Sequence, residues 1–250
     1  MKHILATATA AFFGLGTMAS AASFTLDLSG LDGVNGTADD AVFTTIPGGL
    51  EGDQDVTAAN NVLEALGPQI PTAFQDPGNN NFWTIEGYQG SQVLFSGNGK
   101  VRVELLGWEA GYENTFSLDG QTVGKVNGDP RTVVASDINT PLDQFVTSVL
   151  GAGLLNFSFD SANGNPPSDR GGVDNGTNPI FGQNFFVSCA GNSAATSCNS
   201  LYVFYDDSDV AGDNHDDLVI RISAVPLPAG ALLLMTGLGA LALRRRKTAA

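Results

Sequence analysis

The sequence predicts a mainly β chain: an antiparallel β-sandwich of jelly-roll-like type with two short helices. Three observations predict it. Short segments alternate apolar and polar residues, as in SFTLDL (23–28) and KVRVELL (100–106). Turn signals separate them at short spacing, among them Pro47-Gly48-Gly49, Gly97-Asn98-Gly99 and Asp119-Gly120. Helical spacing is confined to two windows, 55–66 and 141–150. Many short strands joined by tight turns bury their apolar faces by closing sheet upon sheet.

The elements follow in order. Residues 23–28 form the first strand, 29–40 a Gly/Asp/Asn loop with Asp32, Asp39 and Asp40, and 41–46 a second strand. The window 55–66 is helical: Asp55 or Thr57 caps it, Val62, Leu63 and Leu66 share a face, and Gly67-Pro68 stops it. Residues 69–81 are a Pro/Asn-rich connection. Strands at 82–85 and 91–95 flank 86–90, and 97–99 turn the chain into the strand at 100–106. The segment 108–114 (WEAGYEN) leads to a hairpin, 115–118 and 121–126, turning at Asp119-Gly120. The second helix is placed at 141–150, where Leu142, Phe145, Val146, Val149 and Leu150 fall on one helical face. LLNFSF (154–159) is a core strand, 160–179 a long polar loop, and 180–188 a strand. LYVFY (201–205) and LVIRI (218–222) close the domain as a last hairpin. No internal repeat and no dividing linker is present, so residues 23–224 read as one domain of about 200 residues.

Both ends read as addressing segments. Lys2 and His3 precede an apolar run, 4–18, and Ala19-Ser20-Ala21 supplies small residues where a signal peptidase needs them. Residues 1–22 are therefore expected to be a secretory signal peptide, cut after Ala21 or Ala22; an uncleaved anchor is the alternative. Residues 229–243 are apolar throughout and are followed by Arg244, Arg245, Arg246 and Lys247. Fifteen residues fall short of the roughly 20 that cross a bilayer, whereas counting from Val225 gives nineteen. The basic cluster would stay cytoplasmic.

These ends also hold five of the eleven basic residues, leaving six against 26 acidic ones, a formal charge of −20 for the body. Such a surface repels nucleic acid and anionic lipid and favours cations. The chain has two cysteines, Cys189 and Cys198. In an oxidising compartment they are expected to pair and staple a hairpin tip; free thiols or a metal site are the alternatives.

Candidate chemistry concentrates in residues 205–222, YDDSDVAGDNHDDLVIRI. Crowded carboxylates repel unless a cation or water lies among them. Hard oxygen ligands at short spacing suit Ca²⁺, which takes six to eight of them. On this reading Asp206, Asp207, Asp209, Asp213, Asp216 and Asp217 are ligands; the other reading is a solvated acidic loop without metal. The loop lacks the terminal glutamate of an EF-hand, and His215 reads as an exposed loop residue. No nucleophile elbow, phosphate loop, dinucleotide fingerprint or HExxH is found. Glu109, between Trp108 and Tyr112, is the one carboxyl in an apolar setting. Trp108 and Tyr112 read as packing residues, with a sugar-stacking platform as the alternative.

Val225-Pro226-Leu227-Pro228-Ala229, then an apolar span containing glycine, then 244–247, resembles the PEP-CTERM class of bacterial sorting signals in its VPLPA variant. The resemblance covers about 25 residues. It implies export from a Gram-negative cell, a transient anchor through a C-terminal transmembrane helix, and cleavage near Val225–Ala229 by an exosortase, a membrane cysteine peptidase. It further implies delivery to the surface or to an exopolysaccharide matrix. The body is similar to a domain of unknown function common in such proteins, through WEAGYENTFSL and GDNHDDLVIRI. There Asp213, Asn214, Asp216 and Asp217 take the acidic positions, and His215 stands where many relatives carry an aromatic. That likeness implies fold and location only. The leading expectation is a non-enzymatic structural or adhesive surface protein, associated with exopolysaccharide and stabilised by Ca²⁺. The alternatives are a carbohydrate-binding module using Trp83, Trp108 and Tyr112, and a secreted hydrolase using buried carboxylates.

Overall fold

The computed structural model describes residues 22–30, 38, 40–47, 62–75, 83–110, 112–126, 129–130, 132–162, 171–179, 183–207 and 215–226. The segments 1–21 and 227–250, and hence most of both expected addressing signals, lie outside the described residues, as do Asp209 and Asp213.

The described chain is mainly β, and its paired strands are antiparallel. In order, the strands are β1 (Ser23–Asp27), β2 (Val42–Pro47), β3 (Ala73–Gln75), β4 (Trp83–Gln89), β5 (Gln92–Ser96), β6 (Lys100–Glu109), β7 (Glu113–Leu118), β8 (Gln121–Gly124) and β9 (Thr132–Val134). They continue with β10 (Asp143–Val146), β11 (Gly153–Leu154), β12 (Phe157–Ala162), β13 (Gly171–Asp174), β14 (Asn184–Cys189), β15 (Ser197–Cys198), β16 (Ser200–Asp206) and β17 (Leu218–Val225). A five-residue helix, α1 (Val62–Leu66), falls where helical spacing was read, and residues 55–61 of that window lie outside the described set.

Three sheets result. A large one runs β10-β6-β17-β16-β14-β4-β2, with β3 also on β4 and β9 also on β6. Two small ones run β11-β5-β1-β15 and β13-β12-β7-β8. One face of the large sheet meets both small sheets in a single core, including Phe24 and Phe95 from one, Phe116, Phe157 and Phe159 from the other, and Phe185, Val203, Tyr205 and Ile220 from the large sheet. That layering is consistent with a β-sandwich. The second face of the large sheet is covered around α1, where Val62, Leu63 and Leu66 pack with Phe186, Phe204 and Val219. Burial on both faces explains why β14 (NFFVSC) is buried along its whole length. On the helix-covered face Arg221 sits opposite Glu104 and grips it with two bonds, Nε–Oε2 at 2.7 Å and Nη2–Oε1 at 2.9 Å. These bonds hold the guanidinium charged, against the opposing effect of burial.

Two buried asparagines in the turn after β13 act as surrogate backbone. Asn175 accepts from Val93 N (2.7 Å) and donates to Val93 O (2.7 Å) and Leu155 O (2.8 Å). Asn178 accepts from Phe185 N (2.9 Å) and donates to Phe185 O (2.9 Å) and Ser91 O (3.0 Å). An amide carries donor and acceptor in one plane, so it takes up strand backbone groups where the neighbouring strand, β11 or β4, ends.

The helix expected at 141–150 is corrected: this segment is extended. β10 pairs with β6, Phe145 opposite Val103, and the pairing continues through Thr147 N donating to Val101 O (2.9 Å) and a bridge between Gly99 and Leu150. The open edge of β6 offers a full row of backbone partners, and Val146, Thr147 and Val149 are β-branched. Phe145 packs against the core while Leu142, Val146 and Val149 stay exposed. The strands also run longer than expected: β4 continues through 86–89 and β6 through Glu109.

Candidate functional site

The last hairpin builds one pole of the sandwich. Tyr205 pairs with Leu218, which brings the end of β16 beside the start of β17. Asn184 pairs with Asp206, and Glu109 N donates to Asp216 O (3.0 Å), so β14 and β6 end at the same pole. The result gathers Glu109, Asn114, Asn184, Asp206, Asp207, His215 and Asp216 in buried positions, with Asp217 half-buried.

Buried carboxylates need donors. Asn114 Nδ2 donates to Asp207 Oδ2 (2.7 Å), Asp207 N to Asp217 Oδ2 (2.8 Å), and Gln183 Nε2 to Asp207 O (2.9 Å). His215, expected to be exposed, is instead 6% exposed, with Nε2 2.8 Å from Asn184 Oδ1. Its backbone takes φ 57°, in the left-handed region that His visits more readily than bulky residues. Beneath the pole, Tyr205 stacks flat on Phe159, centroids 4.6 Å apart. The Tyr205 hydroxyl is buried without a hydrogen-bond partner among the described residues. Burial first, then Asp207, Asp217, Asp206 and Asp160, push its phenol far above the ordinary range.

Four of the six carboxylates read as Ca²⁺ ligands therefore meet at this pole: Asp206, Asp207, Asp216 and Asp217. Among the described residues, no three of His, Cys, Asp and Glu converge into a group that could hold a metal ion. The described carboxylates alone thus make an acidic, hydrogen-bonded pole rather than a complete coordination shell.

The aromatic residues weighed as a sugar platform are dispersed. Trp108 belongs to the core, and its indole Nε1 donates to Pro130 O (3.0 Å). Tyr112 is half-buried, its carbonyl accepting from Lys125 Nζ (3.0 Å). Trp83 is half-buried, with its backbone N donating to Glu64 Oε1 (2.9 Å).

The opposite pole carries Cys189–Cys198, which are disulfide-bonded. Cys189 ends β14 of the large sheet; Cys198, in β15, pairs with Phe24 of a small sheet. The bond therefore ties two layers together rather than only a hairpin tip. Ser23–Ser96 (Oγ to Oγ, 2.6 Å) and Ser200–Ser223 (2.8 Å) add neutral bonds nearby. β17 ends there at Val225, opposite Lys100. β1 starts beside the end of β5, and residues 97–99 join β5 to β6, so Ser23 and Val225 leave from the same pole.

An open groove of about 550 Å³, with no motif to mark it in the sequence, lies on the outer face of β13-β12-β7-β8. Alternation produces it: Phe157, Phe159, Phe116, Leu118, Val123 and Val173 point into the core, so the residues between them point out. Asp174, Ser158, Ser117 and Thr122 form one cross-strand row, and Gly172, Asp160, Thr115 and Gly124 the next. The hint was the alternation itself in TFSL and FSFD.

No family model, no curated protein and no solved structure matches the chain.

Proposed function

We propose that the chain is an exported cell-surface or extracellular-matrix protein of a Gram-negative bacterium, structural or adhesive in role and associated with exopolysaccharide. Residues 1–22 are the signal peptide. Residues 225–250 are a VPLPA-type sorting signal whose apolar helix anchors the protein until an exosortase-type peptidase removes it. The body, residues 23–224, wraps in jelly-roll-like fashion.

One observation carries this reading. β17 remains paired up to Val225, the first residue of the sorting motif. Cleavage within Val225–Ala229 then leaves the sheet complete. The acidic pole supports the same picture. β17 has eight residues and leads from that pole to the first residue of the sorting motif, so at ~3.3 Å per residue the two lie about 26 Å apart. A protein held by the tail presents its carboxylates outward, away from the membrane. Ca²⁺ at this pole would draw on Asp206, Asp207, Asp216 and Asp217 together with the rest of the loop. There it would neutralise carboxylates of the acidic pole.

Cell fractionation tests the proposal. The expected result is protein in the surface and matrix fractions, open to added protease, and its retention in the inner membrane when the Val225–Ala229 motif is scrambled. Protein confined to the cytoplasm overturns it. The carbohydrate-binding module is kept as a second reading because of the groove, not because of Trp108 or Tyr112.

A further inference from the structure

We infer that the groove on the outer face of β7, β8, β12 and β13 binds an uncharged polysaccharide, with Asp160 and Asp174 accepting hydrogen bonds from sugar hydroxyls. This rests on the exopolysaccharide association proposed above and assigns it to a site.

The chemistry of the lining selects the ligand. Carboxylates only accept hydrogen bonds, whereas Ser and Thr hydroxyls both donate and accept. Neighbouring hydroxyls of a sugar can both donate to one carboxylate, and the hydroxyls of the groove can answer the acceptors that remain. Ser117 and Thr122 already share one bond (2.8 Å), which sets their orientation and leaves each with further capacity. Asp160 and Asp174 are exposed, so their desolvation on binding is limited.

The shape agrees. The second row is bare backbone at both flanks. A side chain at position 172 would meet Phe159 O at 2.1 Å, and one at position 124 would meet Asn114 O at 2.2 Å. The groove lining runs across four strands, from Gly172 and Asp174 to Thr122, about 14 Å at ~4.8 Å per strand spacing. A chain molecule can lie along it, crossing the strands.

Other partners fit worse. The whole chain carries a formal charge of −15, which repels polyanions such as nucleic acid and acidic polysaccharide. Protein interfaces are centred on buried aromatic or aliphatic anchors. Here Phe116, Phe157, Phe159 and Val123 all face the core, leaving the groove polar. With no ring to stack on, a single groove binds weakly, and many copies in a matrix gain by avidity.

Affinity electrophoresis of the full-length protein through gels containing hydroxyethylcellulose or dextran, with alginate as the anionic comparison, tests the site. The expected result is retardation by at least one neutral glucan, none by alginate, and at least a tenfold weaker apparent affinity for the Asp160→Asn/Asp174→Asn variant. Asp143→Asn, on the exposed edge strand β10, should run like the parent. Equal retardation of parent and double variant overturns the assignment to this groove while leaving polysaccharide association intact. No retardation by either neutral glucan, or stronger retardation by alginate, overturns the inference outright, and localisation by fractionation is unaffected. Should the double variant melt well below the parent, chemical-shift changes of the parent titrated with cello- and isomalto-oligosaccharides decide instead. They must centre on β7, β8, β12 and β13; changes centred elsewhere, or none, overturn it.

Discussion

The two poles of this sandwich are secured by opposite kinds of chemistry. At the exit pole the Cys189–Cys198 bond ties sheet to sheet and serine pairs add neutral hydrogen bonds. Nothing in that set depends on charge. At the far pole Asn114, Gln183 and the backbone of Asp207 hold a crowd of carboxylates in place over Tyr205. On the proposal above, the exit pole would stay closed while the tail is held and cut. Like charges brought out of water repel strongly, so a cation at the far pole, as proposed above, would relieve repulsion there. Charge-free fastenings and hydrogen-bonded carboxylates thus sit at opposite ends of one strand, β17.

Four perturbations break or sharpen that contrast, beginning with the largest. Phe159→Ala removes the ring that supports Tyr205 and packs with Phe116, Phe157 and Phe185. It should cost about 3–5 kcal/mol, read from the denaturant midpoint. A loss below about 1 kcal/mol would mean that the far pole is not anchored on this core. Next, Ca²⁺ at a hundred times its dissociation constant should add about 2.7 kcal/mol. The melting point would rise with Ca²⁺ and fall back with chelator; identical melts sink the calcium proposal. Third, Cys189→Ala/Cys198→Ala should cost about 2.5 kcal/mol in the chain-entropy view of a short closed loop. The cost should be the same with Ca²⁺ and with chelator, since the bond lies at the other pole; a calcium-dependent cost would show the poles to be coupled.

The smallest effect is expected from Tyr205→Phe. Its hydroxyl is buried with no partner among the described residues, so removal should change stability by less than about 1 kcal/mol near neutrality. At high pH the sign is definite. The folded phenol titrates well above the ordinary value near 10, so above pH 10 the unfolded chain gives up a proton that the folded chain keeps. Stability is therefore lost as pH rises beyond about 10, and Tyr205→Phe should lose less of it than the parent between pH 10 and 11. Urea unfolding at both pH values checks this.

Alternation and aromatic or β-branched content were the legible strand signals. β1 falls where alternation puts it, β16 and β17 where aromatic and β-branched runs put them, and Asp119-Gly120 turns its hairpin with both residues at positive φ, 54° and 72°. At 141–150 five apolar residues at helical spacing fit a short window, whereas the partner that decides, the edge of β6, lies some forty positions away. β13 was invisible for a different reason. It is polar and glycine-rich, and Val173 alone of its residues joins the core. Asn175 and Asn178 read as turn residues, since pairing of an amide with a distant backbone leaves no periodic trace. At the acidic pole the residues are evident in the sequence and their setting is not: Asp206, Asp207, His215 and Asp216 are buried where β6 and β14 end beside them. The groove escaped notice because its residues look like the ordinary outward half of alternating strands.

Export followed by cleavage at the end of the fold, as proposed, is tested most directly by the intact mass of the protein released by its own cell. The expected species begins at Ala22 or Ser23, ends within Val225–Ala229, and is two hydrogens lighter than its reduced form. A cell-associated species that retains residues 229–247, or one with free Cys189 and Cys198, would contradict it.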